Sequence, residues 1–219
     1  QKEIYYISGN SREALEYDPR MEVFKNKGVE VFYLYDPVDE FVFSSLRKYK
    51  EYDFVSVENA DFNRLNEFKD IEERKKPIED LSKDDEKHFN SLLSKMKSIL
   101  GDKVVEVRES KRLIDSATCL VSENDTLSAT MHKLMKLANK DTASLKMIFE
   151  INSGHPLIRN LLKVFKADAN DEYIKNITEQ LYEISLLQDG NLEDPHILIR
   201  KMNKLLEDSS GWYVEVKKY

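Results

Sequence analysis

Four histidines and one cysteine are the residues of this chain best suited to bind a metal or attack an electrophile, and their spacing supports neither task. His88, His132, His155 and His196 lie far apart, no ligand pair stands at i, i+4 on a helix, and none has a metal-ligand spacing with Cys119. Cys119 sits inside the β-prone run Thr118-Cys-Leu-Val121, the setting of a small buried hydrophobe rather than of a reactive thiolate. Two carboxylates, Asp36 and Asp39, follow a strand-like run and could line an acidic catalytic or metal pocket. Pro37 between them suits a helix cap better, because a carboxylate there accepts the exposed N–H groups of the first turn. His155-Pro156 is similarly placed for a turn. Phosphate chemistry would fall to the turn Ser8-Gly9-Asn10-Ser11-Arg12-Glu13, which has one glycine where close backbone approach needs several. No nucleotide is expected there.

Adhesive chemistry has more support. On a helix opened by Asp125, Leu127, Met131, Leu134, Met135 and Ala138 form a narrow stripe among polar residues such as Ser128, His132 and Lys136. Unbranched thioethers adapt to varied apolar partners, so the stripe reads either as a contact surface or as an ordinary core face. Near the end of the chain, Ile174, Ile177, Leu181 and Ile184 follow a 3-4-3 spacing, and Ile197, Leu198, Ile199, Met202, Leu205 and Leu206 leave little room for a polar face. These two helices either close a monomeric core or pair with a second subunit as a two-fold four-helix bundle.

The elements that position these residues fall into two groups. Apolar runs at 4–7 and 29–34 read as strands joined by a helical segment of roughly 20 residues, long enough for a parallel crossover. A helix over 39–48 and a strand over 52–57 complete a small α/β layer. Residues 58–83 are densely charged with both signs and read as a solvated linker, so the domains are set at 1–82 and 83–219. The second begins with a helix over 84–100 capped by Gly101, followed by β-prone runs at 104–107, 118–121 and 145–151 that suggest a three-stranded sheet. Pro156 opens a helix, Asp171 caps the next, Gly190 closes it, and Asp194-Pro195 starts the last. The fold class is therefore α+β: a strand-helix-strand unit, then a small sheet with a helical bundle.

Bulk properties narrow the function further. A net charge of −7 over 219 residues opposes a general nucleic-acid binder, and neither a membrane-length apolar run nor a signal peptide is seen. A lone cysteine fits a reducing compartment, and the expected location is the cytoplasm. Because the chain opens at Gln1 and enters a strand at once, it reads as an excised piece of a longer protein.

The first strand-helix-strand followed by Asp36-Pro-Val-Asp-Glu-Phe41 resembles the late middle domain of the heat-shock protein 90 chaperones, most closely their bacterial HtpG type. Later segments match in the same order: Ile99-Leu-Gly-Asp-Lys-Val104, Arg112-Leu-Ile-Asp-Ser-Ala-Thr-Cys-Leu-Val121, Ile148-Phe-Glu-Ile-Asn-Ser-Gly-His-Pro-Leu-Ile158, and the run from Leu192 to Leu206. The resemblance implies the end of a middle domain plus a C-terminal dimerisation domain. Ile174, Ile177, Leu181, Ile184, Leu198, Met202, Leu205 and Leu206 would then form a homodimer interface. It also implies contact with unfolded clients through Leu127, Met131, Leu134 and Met135, and through Phe41 with Ser44, where the bacterial branch usually has Trp at the place of Phe41. ATP and Mg would be held by a part of the protein outside this chain, so the chain itself is expected to carry no enzymatic site and no cofactor. An ATP-dependent co-chaperone system would be a further partner. The ending Glu215-Val-Lys-Lys-Tyr219 lacks the acidic Met-Glu-Glu-Val-Asp tail of eukaryotic cytosolic members, which favours a bacterial or organellar type. The rival reading is a small nucleotide-binding or regulatory α/β protein that dimerises through its helices.

Overall fold

Strand β1 (Glu3–Ser8) turns Tyr5 and Ile7 to one face and Tyr6 to the other, and this alternation sets the layers of the first half. The computed structural model describes residues 1–71, 81–123 and 146–218, without the side chains of residues 37, 40 and 44. In it β1 is the centre of a four-stranded sheet ordered β2-β1-β4-β3. Parallel pairing joins β1 to β2 (Val31–Leu34) and to β4 (Tyr52–Ser56), and the two-residue β3 (Lys48–Tyr49) runs antiparallel to β4. The α+β class expected from the sequence is the one observed.

The crossover from β1 to β2 is not one helix. It breaks into α1 (Arg12–Glu16), a 3-10 turn (Pro19–Met21) and α2 (Glu22–Asn26), because Pro19 has no N–H to continue α1 and Asp18 caps a new turn by accepting from Arg20 N. Leu15, Met21, Val23 and Phe24 from these pieces bury against Tyr5 and Ile7. The single glycine after β1 serves this packing. A Cβ at Gly9 would lie 2.5 Å from Leu15 Cδ2, so the turn is closed by a core side chain.

Of the expected linker 58–83, residues 58–71 pack onto the core that Val57 enters, and residues 72–80 lie outside the described residues. Val57, Ala60 and Leu65 are buried in that core, the short helix α4 (Phe62–Leu65) starts on the Asp61 cap, and Ile71 N donates to Asn26 O at 2.7 Å. The charged neighbours hid these few apolar positions. The opposite face of the sheet is covered by α3 (Pro37–Leu46), for which Asp36 provides the cap by accepting from Val38 N at 3.0 Å.

The second half opens with α5 (Lys83–Leu100), capped by Ser82, with Asp84, Asp85 and Glu86 favourably placed in its first turn. Gly101, at φ +56°, ends it. A three-stranded sheet ordered β5-β7-β6 follows: β5 (Glu106–Glu109) parallel to β7 (Met147–Ile151), and β6 (Thr118–Ser122) antiparallel to it. All five residues of β6 and of β7 are buried, so the sheet is covered on both sides. One side carries α5, α6 (Pro156–Ala167) and α7 (Glu172–Gln188), whose Phe89, Leu92, Met96, Leu161, Ile174 and Ile177 pack with Phe149 and Ile151. The other side, with Cys119, Val121 and Ile148, turns toward the first half. The last helix, α8 (Pro195–Lys217), starts on Asp194 and Pro195 as the sequence predicts.

Candidate functional site

Helix α3 is anchored through Phe43. Phe43 points into an aromatic cluster, with ring centroids 5.4 Å from Tyr6, 6.0 Å from Phe32 and 4.6 Å from Phe54. At about 100° per residue, this anchor swings Val38, Phe41, Val42 and Leu46 onto an arc away from the sheet. All four are exposed, Phe41 by 53%, as are Phe32, Tyr35 and Tyr49 on the neighbouring segments of the chain. A patch of this kind on a well-capped helix marks a contact surface more than a core that failed to close.

The last two helices divide the residues expected at a subunit interface. Ile174, Ile177 and Leu181 of α7 are buried in the core of their own half, and Leu198 of α8 is buried as well. Ile184 and Leu205 are half-buried, whereas Met202 and Leu206 are exposed. Lys201 fastens α8 to α7 through Glu183 at 2.6 Å and Glu179 at 3.7 Å. Beyond Leu205 the helix continues for three turns with Trp212, Tyr213, Val214 and Val216 exposed. Leu198, Leu205 and Trp212 are spaced at heptad intervals, so Trp212 continues the face on which Leu198 is buried and Leu205 half-buried. The sequence reading stopped at Leu206 and missed this extension, although the apolar spacing carries on through it without a proline.

Where the halves meet, the contacts are polar and buried. Arg20 is bound by Asp18 at 2.5 Å, by Glu58 at 2.6 Å and by Asp189, at the end of α7, at 3.2 Å. Glu58 also accepts from Ser122 N at 2.9 Å. Arg112 donates to Glu150 at 2.9 Å and to the carbonyls of Val57 and Glu58 at 2.7 and 2.9 Å, with its guanidinium over the Phe62 ring. The Glu22 carboxylate accepts from the consecutive N–H groups of Ile114, Asp115 and Ser116 at 2.5, 2.9 and 3.0 Å. Burial alone would raise Asp18 and Glu150, but the guanidiniums of Arg20 and Arg112 outweigh it and hold both carboxyls low. Asp189 goes the other way: burial pushes it up to about 7, Arg20 offsets only part of this, and Asp18 and Glu58 add to the rise.

Reactive chemistry finds no comparable arrangement. Among the described residues no three of His, Cys, Asp and Glu converge to hold a metal. His155 serves as the cap of α6, its Nδ1 accepting from Leu157 N. Cys119 is 3% exposed, and burial followed by the Glu150 charge pushes its thiol well above the usual range, away from thiolate. No helix among the described residues is long and apolar enough to cross a membrane.

A sequence model of the family described as Hsp90 protein matches residues 1–218. The chain belongs to the Hsp90 family. The chaperone protein HtpG of Oleidesulfovibrio alaskensis is 48% identical over 218 residues, covering 100% of this chain and 34% of the relative. HtpG of Nitratidesulfovibrio vulgaris is 43% identical, covering 99% and 34%, and that of Chlorobium chlorochromatii 37% identical, covering 94% and 32%. The chain thus spans about a third of the length of the Hsp90 relatives it matches. Of the client-contact positions that the resemblance implies for an Hsp90, Phe41 lies on the exposed arc of α3. Leu127, Met131, Leu134, Met135 and the side chain of Ser44 lie outside the described residues.

Proposed function

We propose that this chain supplies the self-association and client-contact parts of an ATP-dependent molecular chaperone. The observation that carries the reading is α8: a helix of 23 residues with one fully buried side chain, Leu198, and an apolar series from Met202 to Val216 exposed to solvent. A second copy laying its own α7 and α8 against that series, as a two-fold bundle, removes the surplus apolar surface from water. The α3 arc around Phe41 then provides a separate adhesive surface for partly unfolded clients, together with the stripe Leu127, Met131, Leu134 and Met135. ATP and Mg are handled elsewhere in the full-length protein, which works in the cytoplasm beside an ATP-dependent co-chaperone system. The rival nucleotide-binding reading has little room, since the turn after β1 is packed by Leu15 against Gly9.

Light scattering over a wide dilution range tests the reading, applied to the chain and to a Met202→Asp/Leu206→Asp variant. A dimer that becomes a folded monomer in the variant supports it. A monomer at every concentration would remove self-association from the function. Client contact is tested separately, by suppression of aggregation of a model substrate.

A further inference from the structure

Among the described residues three buried side-chain atoms have no hydrogen-bond partner, and two of them, Ser8 Oγ and Asp189 Oδ2, line one small chamber at the joint of the two halves. Its volume is about 30 Å³, and Asp18, Arg20 and Glu58 share the lining with Gly9 and Gln188. The Asp189 side chain is only 7% exposed. One cation, Arg20, faces three carboxylates there: Asp18, Glu58 and Asp189. Arg112, which also acts on Asp18, already serves Glu150 and two carbonyls and does not line the chamber. Two oxygen atoms without a partner, excess negative charge and room for one particle therefore coincide.

We propose that this chamber is a binding site for a single monovalent cation of about the size of a water molecule, potassium or ammonium, held by Asp189 Oδ2 and Ser8 Oγ. Holding a water-sized particle takes about 10–15 Å³, which the chamber exceeds. The ligands are hard oxygen donors, as a hard cation requires. A divalent ion is the poorer match, because it draws on several carboxylates, whereas Asp18 and Glu58 are engaged with Arg20 and Asp189 Oδ2 alone is left without a partner. Asp189 lies at the end of α7 and Ser8 at the end of β1, so the cation bridges elements from the two halves and offsets the repulsion of Asp189 by Asp18 and Glu58.

The test is the thermal midpoint of the chain in potassium, lithium and N-methylglucamine chlorides at equal ionic strength, near pH 8, where Asp189 is ionised. Potassium is expected to raise the midpoint by about 3 °C over the other two salts. Asp189→Asn, which keeps the side-chain volume, and Ser8→Ala are each expected to remain folded and lose the potassium dependence. Equal midpoints in the three salts would overturn the proposal and leave the chamber to water. A midpoint that rises on acidification without distinguishing the cations would also overturn it, making a proton on Asp189 the occupant. Potassium dependence retained in Asp189→Asn would place the ion elsewhere and refute the site.

Discussion

Helices α5 and α8 are both long, both start on a side-chain cap and both carry apolar residues at helical spacing, yet they finish their packing differently. Across 18 residues α5 buries Phe89, Leu92, Leu93, Met96 and Leu100 within its own half. Across 23 residues α8 buries Leu198 alone and leaves Leu206 67% and Trp212 64% exposed. Periodicity makes both helices amphipathic, but it does not say whether the partner surface lies in the same chain. Among the described residues α5 finds its packing partners and α8 leaves most of its apolar residues exposed, and each substitution below probes one side of that contrast.

The largest effect is expected inside the finished core. Leu92→Ala should cost about 2–5 kcal/mol, since Leu92 is fully buried and the cavity it leaves cannot collapse easily between α5 and the sheet. Urea unfolding measures it; a loss below about 1 kcal/mol would mean that α5 is less tightly packed than its burial implies. At the joint, Glu22→Ala leaves three consecutive N–H groups without their acceptor. A cleft of about 540 Å³ beside Glu22 lets water replace part of the loss, so about 1–2 kcal/mol is expected. Faster hydrogen exchange at residues 114–116, with exchange in α5 unchanged, would localise it.

Asp189 yields a pH-dependent contrast. Its folded pKa, about 7, lies above the unfolded value near 3.8, so the folded chain holds the proton more tightly. The resulting stabilisation is complete below the unfolded value and is lost as the pH rises through 7. In potassium-free buffer Asp189→Asn should therefore gain on the native chain as the pH rises from about 4 to 7, then level off. A constant offset across that range would show that Asp189 titrates normally.

Local chemistry made most elements legible. The caps Asp36, Asp171 and Asp194, the first-turn prolines and Gly101 all act within a few residues of their own position, and each is found where the sequence places it. The three strands of the second sheet were also legible, although β5 begins two residues later than its apolar run. The joint was not legible, because Arg20 meets Glu58 across 38 positions and Glu22 meets Ile114 across 92, and charged residues at such distances carry no periodic signal. Residues 58–71 were misread for a related reason: Ala60 and Leu65 are too few among their charged neighbours to show a pattern. Of the α3 surface, Phe41, Val42 and Leu46 could be seen as helical positions, but only the inward turn of Phe43 decides that they face outward.

On the α8 side, Leu206→Asp should change protomer stability by no more than about 0.5 kcal/mol, as expected for an exposed site. Its effect should appear in the mass measured on dilution, where a desolvated carboxylate in a two-fold interface is present twice. A variant that loses stability as a monomer would instead place Leu206 in its own core and erase the contrast between α5 and α8.

Phe41→Ser is expected to have the smallest effect on stability and the cleanest effect on function. Phe43 anchors α3 through Tyr6, Phe32 and Phe54, and the Asp36 cap is independent of Phe41, so the helix should survive unchanged in circular dichroism. Aggregation of a model client should then be suppressed less well, while the mass in solution stays that of the native chain. The paired variant Phe43→Ser separates the two roles. It should unseat α3 and cost about 3 kcal/mol or more, because a half-buried ring at the centre of the aromatic cluster is lost. If Phe41→Ser suppresses aggregation as well as the native chain does, the α3 arc is not where clients are held. Adhesion would then rest on the stripe from Leu127 to Met135 and on α8.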